Sequence, residues 1–291
     1  MVLVQRELKN AYIGEYKNPE RIEYKMNADS NGKLYLGIQW TGISGMFDAY
    51  SWKVSVDGWA ETTYTWGTSN WRNNIALTWY TPWSNHTIMI TPTTEAYLWA
   101  RAYWWNWKTE SANVTEIVYD GSYMWYGESA TSTGNYFKMY QYLWCTALTS
   151  IPEEVLPNTI TTIPTYFRYW QYWWCTSLTY SPEEVLPDSV TSIWTYFRCS
   201  QYNWCYALTE IKWWKDLSIG SAQYRRQQYT NCTSNKTVKV LSDVWYEAYT
   251  TDALQNAYVT SVNVPNAYLN NFKNTSIYPR AWIDDSKFIW Y

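Results

Sequence analysis

Short runs in which apolar and polar residues alternate occupy much of the first third of the chain. Alternation puts every second side chain on the same face, so each run predicts a β-strand with one buried face. Turn-forming pairs such as Asp57-Gly58 and Asn70-Trp71 separate the runs. The predicted strands are KLYLGIQW (33–40), WKVSVDG (52–58), TTYTW (62–66), IALTWY (75–80) and HTIMITP (86–92).

These strands divide the chain into a β-rich N-terminal part and a longer remainder. Five or more short strands at this spacing predict an immunoglobulin-like β-sandwich over residues 22–93. The cysteines usual in such sandwiches are missing, because the first cysteine of the chain is Cys145. Residues 1–21 are predicted to form a leading arm, and residues 94–291 to form a second unit.

A block of residues repeats through the second unit with a period of 30, the interval from Cys145 to Cys175. Three complete copies keep Tyr-Phe, Gln-Tyr, Trp-Cys and Leu at the same spacing. A shorter fourth copy keeps Tyr224, Gln228-Tyr229 and Cys232, and a degenerate fifth has Gln255, Tyr258 and Val259. The copies occupy residues 136–148, 166–178, 196–208, 224–232 and 255–259. A period of this size indicates stacked supersecondary units, because no single unit can bury its own apolar face.

Each unit is predicted to contain two short extended segments joined by turns. Residues 148–151 alternate like a strand, and residues 158–163 form the second segment. Pro152 and Pro157 bound one helical turn between them. The segment TYFRYWQYWWC (165–175) is predicted to be a compact turn or helix. Successive units then form a parallel ladder of strands about 4.8 Å apart.

The order Leu-Thr-x-Ile, Pro, Val-Thr-x-Ile, Phe and Cys-Thr-x-Leu resembles the BspA-like, Treponema-type leucine-rich repeats over roughly residues 95–285. The segment VTSVNVPNAYLNNFKN (259–274) is similar to the end of that family, where a Val-Pro strand precedes a capping helix. The resemblance implies a mainly β fold: a leucine-rich-repeat solenoid with a C-terminal cap, preceded by the small immunoglobulin-like β-sandwich. It also implies a bacterial or phage-borne attachment protein at the cell surface or outside the cell. No catalytic residues come with it.

The tryptophan content departs from the pattern of that family. The chain has 23 Trp and 30 Tyr but only 11 Gly, where a usual share of about 7% predicts roughly 20 Gly. The family commonly places Gly before the cysteine and after the second Ile, whereas this chain has Trp144, Trp174, Trp204 and Trp194 there. Some bacteria read UGA as glycine where another code reads tryptophan. One hypothesis is therefore that part of the tryptophan is glycine translated with the wrong table.

Four cysteines, Cys145, Cys175, Cys205 and Cys232, recur at the same position of successive copies. A ladder of small residues suits the core of a stacked repeat, so we predict buried structural thiols and neither disulfides nor metal ligands. Cys199 stands outside this ladder and is expected nearer the surface. The sequence has no CxxC motif and no Cys/His cluster, which argues against zinc.

No constellation of residues in the sequence indicates catalysis. His86 is the only histidine, and without a recognisable nucleophile or carboxylate near it in sequence it is interpreted as a turn or strand-edge residue. The pairs Glu153-Glu154 and Glu183-Glu184 follow a proline in each copy, as carboxylates of a first helical turn do. That interpretation is preferred to a pair of glycosidase acids. We predict no enzyme and no cofactor.

Charge and hydropathy restrict the partners. A net charge of −3 leaves no basic footprint for nucleic acid. No apolar run approaches the roughly 18 residues that a membrane span requires. The start MVLVQRELKN is too polar for the apolar region of a signal peptide. The oligomeric state is left open.

Within the repeated blocks some positions vary, and their residues are those of binding surfaces, where rigid aromatic rings contribute area and short polar groups adapt. This variability is similar to that of proteins diversified by retroelements. The alternative is that exposed positions of a repeat simply tolerate change. The candidate ligand-binding residues are Met139, Tyr140, Leu143, Tyr169, Trp170, Trp173, Ser200, Asn203, Arg226, Gln227 and Thr230.

Three functions remain open from the sequence. The first is surface attachment or recognition of a protein or cell-surface partner through these positions. The second is a carbohydrate-binding module in which exposed aromatic residues such as Trp104, Trp105 and Trp107 stack on sugar faces. The third is a structural component of a surface layer or fibre.

Overall fold

The structure, a computed structural model, describes most of the β-rich parts of the chain. The described residues are 21–36, 38–40, 50–66, 76–92, 100–102, 111–120, 131–132, 138–152, 156, 158–181, 186–213, 226–234, 236–240, 257–264, 266, 286 and 288–290. Within these ranges the protein is mainly β, and they contain no α-helix. Several predictions fall outside them: the leading arm up to residue 20, the turn at 70–71, the tryptophans at 104–107 and the acidic pairs after each proline.

The N-terminal part is built on a five-stranded antiparallel sheet with two small sheets beside it. The large sheet comprises β1 (Ile22–Asn27), β4 (Tyr50–Val56), β5 (Thr62–Trp66), β7 (Asn85–Pro92) and β9 (Val114–Asp120), in the order β5-β4-β7-β1-β9. The small sheets pair β2 (Leu34–Tyr35) with β6 (Ala76–Leu77), and β3 (Ile38–Trp40) with β8 (Ala100–Ala102). All five segments predicted from alternation therefore contain strand, with differences in bounds. Strand β5 has the predicted bounds, β4 and β7 begin two residues and one residue earlier than predicted, β6 is shorter, and the segment 33–40 contains both β2 and β3.

Two strands of the large sheet, β9 and β1, were not among those predicted, and β1 has the clearer pattern. Its side chains alternate strictly, and Ile22, Tyr24 and Met26 are fully buried. The Tyr24 hydroxyl donates a hydrogen bond of 2.7 Å to the Tyr35 carbonyl oxygen, so its ring is buried without losing its polar partner. Between these buried positions, Lys25 forms an ion pair of 2.7 Å with Glu116 of β9.

Strand β9 connects the antiparallel sheet to the repeats. It pairs antiparallel with β1. Along its other edge, the Thr149 amide donates to the Thr115 carbonyl at 2.9 Å and the Ile117 amide to the Ser150 carbonyl at 3.1 Å, in parallel register. One hydrophobic cluster continues across this strand, from Ile117 to Leu148. Although residues 114–120 lie inside the predicted second unit, they therefore belong to the N-terminal sheet as well.

The repeats form parallel strand pairs, as the sequence predicted. Strands β10 (Thr162–Ile163) and β11 (Ser192–Ile193) form one pair, and β12 (Glu210–Trp213), β13 (Lys236–Val240), β14 (Val259–Val264) and β15 (Phe288–Trp290) form a four-stranded sheet in that order. Isolated parallel bridges join Ser132 to Thr162 and Tyr180 to Glu210. Equivalent residues of successive copies thus lie side by side.

Between the strands, the repeated sequence folds into turn blocks, the first over residues 138–148 and the next three over 166–178, 196–208 and 226–232. In the first block, alternate amides donate to the second block: those of Tyr140, Tyr142 and Trp144, at 3.0, 2.9 and 3.0 Å. The intervening amides donate to a carbonyl three residues earlier, as the Gln141 amide does to Lys138 at 3.3 Å. Successive blocks repeat this scheme. Both sets of amides are satisfied, which is the condition for burying so much irregular backbone.

This hydrogen-bonding scheme forces residues into the left-handed region of backbone space. Trp144, Trp174 and Trp204 have φ values of 66°, 67° and 66°, and Trp83 in the N-terminal part has 65°. An L-residue in this region carries a steric cost of roughly 1–2 kcal/mol that glycine does not. Trp194, the fourth tryptophan in a predicted glycine column, is 54% exposed and is not among the left-handed residues.

Replacing Trp83 by glycine is expected to stabilise the protein. The indole is 65% exposed and φ is 65°, so Trp83→Gly releases strain while removing little packing. We expect the free energy of unfolding in urea to rise by about 0.5–1 kcal/mol after the entropy cost of glycine is subtracted. Trp194→Gly is the matched control, because it removes an exposed indole without relieving strain and should leave stability unchanged or lower. Equal effects of the two substitutions would contradict the strain argument.

Candidate functional site

Three columns of identical side chains fill the inside of the turn blocks. Glutamine amides form a chain in which Nε2 of each block donates to Oε1 of the block before, at 3.1, 3.1 and 2.9 Å. Tyrosine rings stack beside them with centroids 5.3, 5.1 and 5.2 Å apart. The columns are Gln141, Gln171, Gln201 and Gln228; Tyr142, Tyr172, Tyr202 and Tyr229; and Cys145, Cys175, Cys205 and Cys232. All twelve side chains are buried, so these columns hold the blocks together and face no ligand.

The cysteine column consists of free, buried thiols. The Cys175 thiol donates to the Tyr142 carbonyl at 3.2 Å, and the next two thiols make the same contact with the tyrosine of the block before. Burial raises the pKa of all four thiols, that of Cys232 to about 12. These thiols stay protonated at neutral pH, and their buried position fits a structural role. Cys199, expected nearer the surface, is also buried.

Four of the eleven candidate ligand-binding residues are buried: Leu143, Ser200, Asn203 and Thr230. Their backbone joins neighbouring blocks, since the Ser200 amide donates to the Arg226 carbonyl at 2.8 Å and the Asn203 carbonyl accepts from the Trp174 amide at 3.0 Å. Leu143, Asn203 and Thr230 occupy the same column as Trp173, and only the indole is long enough there to stay half-exposed. These four side chains do not reach the surface, which corrects the expectation that they contact a ligand.

The other seven candidates reach solvent. Arg226 is exposed, and the remaining six are half-buried: Met139, Tyr140, Tyr169, Trp170, Trp173 and Gln227. The four aromatic rings among them touch. Tyr140 lies 5.8 Å from Tyr169 and 5.6 Å from Trp170 between ring centroids. Trp170 in turn stacks on Tyr169 and on Trp173, at 5.2 Å in each case. The structure therefore brings these variable positions onto one continuous surface.

Residues of the recurring columns extend this surface. They are absent from the predicted binding residues, which were all variable positions. Trp144, Trp174 and Trp204 stack in nearly parallel planes at 5.0 and 5.1 Å. Tyr166 and Tyr196 stack at 4.7 Å. Their recurrence at fixed positions of the three complete copies was the signal that could have identified them. We call the combined surface the aromatic face: Tyr140, Trp144, Tyr166, Tyr169, Trp170, Trp173, Trp174, Tyr196 and Trp204.

The aromatic face is electrically neutral at its centre. Burial and neighbouring tyrosines raise the pKa of Tyr169 to about 12, and burial also raises the pKa of Tyr140. Their hydroxyls therefore remain protonated near neutral pH. Arg168 and Arg198 are buried, with guanidinium carbons 5.1 and 4.9 Å from the rings of the phenylalanines that precede them. The face thus offers aromatic area with a few uncharged polar groups.

A second cluster lies in the N-terminal sheet around His86. Its Nδ1 is 2.6 Å from Asp57 Oδ2 and its Nε2 is 2.6 Å from Ser84 Oγ. No pattern in the sequence indicates this carboxylate, which lies 29 residues from the histidine along the chain. The register of β4 against β7, with Val56 opposite Ile88, brings the Asp57 turn to the histidine.

The contacts among Ser84, His86 and Asp57 resemble those of a Ser-His-Asp nucleophilic triad, but the serine hydroxyl donates its hydrogen bond to another group. Its Oγ also lies 2.5 Å from the Thr81 carbonyl oxygen, which takes up the only proton the hydroxyl can donate. A nucleophilic serine directs that proton to the histidine. We therefore interpret the contacts of Ser84 and Asp57 as fixing the orientation of the imidazole ring.

A cavity of about 560 Å³ opens beside this histidine. Its walls include Asp57, Trp59, Trp79, Tyr80 and His86. The Tyr80 ring meets the imidazole edge-on at 4.7 Å. The volume falls in the range of about 300–1,000 Å³ that small-molecule sites occupy.

Comparison of the chain with protein-family models, curated protein sequences and solved structures found no match. Among the described residues, no helix has the length and hydrophobicity needed to cross a membrane. The same part of the chain contains no group of three or more His, Cys, Asp or Glu side chains placed to hold a metal ion.

Interrupting the glutamine chain is expected to destabilise the stack strongly. Gln171→Ala removes two buried hydrogen bonds and leaves the facing amide groups of Gln141 and Gln201 without this partner. We expect the free energy of unfolding in urea to fall by about 3 kcal/mol or more. The control is Gln228→Ala at the end of the described chain of amides, where one such bond is lost and the fall should be about half as large. Similar losses for both variants would argue against a chain of coupled amides.

Stability is expected to fall at alkaline pH partly because of Tyr169. Its pKa of about 12 in the folded protein exceeds the unperturbed value of about 10, so between these values the unfolded chain has lost a proton that the folded protein retains. Stability from this group is therefore complete below pH 10 and is lost as the pH rises to 12. Urea unfolding from pH 9 to 12 should show a smaller decline for Tyr169→Phe than for the wild type. Identical declines would contradict the assignment.

Proposed function

We propose that this chain is a non-enzymatic recognition protein of the cell surface or extracellular space that binds a protein partner through the aromatic face. The observation that carries the proposal is the continuity of that face. Rings from three turn blocks contact one another at centroid distances of 4.7–5.8 Å, so they form one surface and not isolated aromatic positions.

The proposed architecture is a leucine-rich-repeat solenoid that follows an immunoglobulin-like β-sandwich. The parallel pairing of β10 with β11 and of β12 with β13 supports a solenoid, as do side-chain hydrogen bonds between residues 30 apart. Such a stack can be lengthened one unit at a time and presents its surface on a rigid support. The resemblance to BspA-like repeats is the basis for placing the protein at a bacterial or phage surface.

The chemistry of the face favours a protein partner. Tyr and Trp are enriched in binding hot spots because they bring large rigid area at little conformational cost. Tyr169, Trp170 and Trp173 differ from the residues at the same positions of the neighbouring blocks, whereas the stacked column beginning at Trp144 recurs. A fixed aromatic base with variable aromatic residues beside it suits a surface whose specificity changes while its support does not.

The double substitution Trp170→Ala/Trp173→Ala is expected to abolish partner binding. The measurement is binding of the purified chain to an array of extracellular protein domains and, in parallel, to a glycan array. We expect protein ligands bound by the wild type to lose affinity by a factor of about 30 or more, as for hot-spot residues. The indoles are half-exposed, so the fold should persist, which urea unfolding will verify.

Trp194→Ala is the matched control, because that indole is 54% exposed, belongs to the same repeats and is not part of the aromatic face. It should leave binding unchanged. If the wild type binds only glycans and the double variant loses that binding, the carbohydrate-binding alternative replaces this proposal. Unaltered protein binding by the double variant would refute the proposed face.

A further inference from the structure

The cavity beside His86 combines features that the stability of the sheet does not require. Two of its tryptophans are among the most exposed large side chains described, Trp79 at 96% and Trp59 at 78%. Trp79 also has a φ of 82°, so the chain carries strain to hold an indole in water. Strain of this kind persists at sites where it serves binding.

The polar side of the cavity is fixed in position. Asp57 Oδ1 accepts from the Thr87 amide at 2.8 Å while Oδ2 contacts the imidazole, so both the carboxylate and the ring are held. The carboxylate side chain is 38% exposed, which leaves acceptor capacity toward the cavity. Each carboxylate oxygen can accept more than one hydrogen bond.

The arrangement has one apolar and one polar wall. Indole faces suit the C–H face of a sugar ring, and a carboxylate held in place by an imidazole can accept hydrogen bonds from neighbouring hydroxyl groups. The negative carboxylate disfavours an anionic ligand, and Tyr80, whose pKa is raised by burial, adds a neutral hydroxyl. We propose that this cavity binds a neutral saccharide, with Trp59 and Trp79 stacking on a pyranose and the Asp57 carboxylate, which His86 holds in position, accepting hydrogen bonds from its hydroxyls.

The test is titration of the whole chain with a panel of neutral mono- and disaccharides at concentrations up to about 10 mM. Binding is measured by tryptophan fluorescence and by calorimetry. We expect at least one sugar to bind, and Trp79→Ala to weaken it by about tenfold or more. Trp59→Ala should weaken it as well. Because both indoles are exposed, these variants should keep the urea unfolding midpoint of the wild type or raise it.

Two comparisons separate binding from backbone effects. Trp83→Ala is the matched control, since Trp83 is 65% exposed with a left-handed φ of 65° but does not line the cavity, and it should bind sugar normally. Trp79→Gly should lose sugar binding while becoming more stable, because strain is relieved and the ligand contact is removed. The aromatic-face variant Trp170→Ala/Trp173→Ala should bind sugar as the wild type does, so failure of one site is distinguishable from failure of the other.

Three results would refute the proposed saccharide site. No binding of any panel sugar by the wild type, or unchanged binding by Trp79→Ala, refutes the saccharide site. Binding of aromatic peptides in the cavity without any sugar binding also refutes it. In these cases Trp79 would be only a strained residue at a position that glycine fits better.

Discussion

The hydrogen bonds between successive turn blocks are the interaction on which the rest of the repeat structure depends. Each block offers alternate amides to the next one, as Tyr142 does to Gln171 at 2.9 Å and Tyr172 to Gln201 at 2.9 Å. The blocks contain little regular secondary structure, so their buried backbone has few other partners. An unpaired buried amide is costly, and this makes constant spacing within each block a physical requirement. The segment between blocks can shorten, since the step from Gln201 to Gln228 is 27 residues and keeps the same hydrogen bonds.

Side chains obey the same constraint as the backbone. A glutamine can donate to the glutamine of the block before it only if both occur at the same position, and the same holds for each thiol and the carbonyl it contacts. Stacking at about 5 Å then lines up every column, including those at the surface. The aromatic face is thus a consequence of the internal register: once the amides are paired, neighbouring rings are obliged to touch.

Strand β9 joins the N-terminal sheet to the repeats. It pairs antiparallel with β1 and forms a parallel bridge from Glu116 to Ser150 of the first repeat. The hydrophobic core passes through it without a break. The two candidate sites differ in kind. The aromatic face is a wide surface built by repetition, whereas the cavity at His86 is an open pocket lined by residues of β4 to β7 and of the segments that follow β4 and β6. A protein surface suits the aromatic face, and a small ligand with one polar and one apolar side suits the cavity.

The sequence by itself determined the strands of residues 33–92, the parallel stacking of copies and the equivalence of the cysteine positions, because alternation and period are local properties repeated at fixed spacing. Only the tertiary structure decided which variable positions face solvent. Trp173 stays half-exposed while Asn203 in the same column is buried, because side-chain length relative to neighbouring rings sets exposure. The partners of His86 were equally hidden, since Asp57 reaches it only through the register of two strands. Contacts made across long stretches of chain leave no pattern in the residues between them.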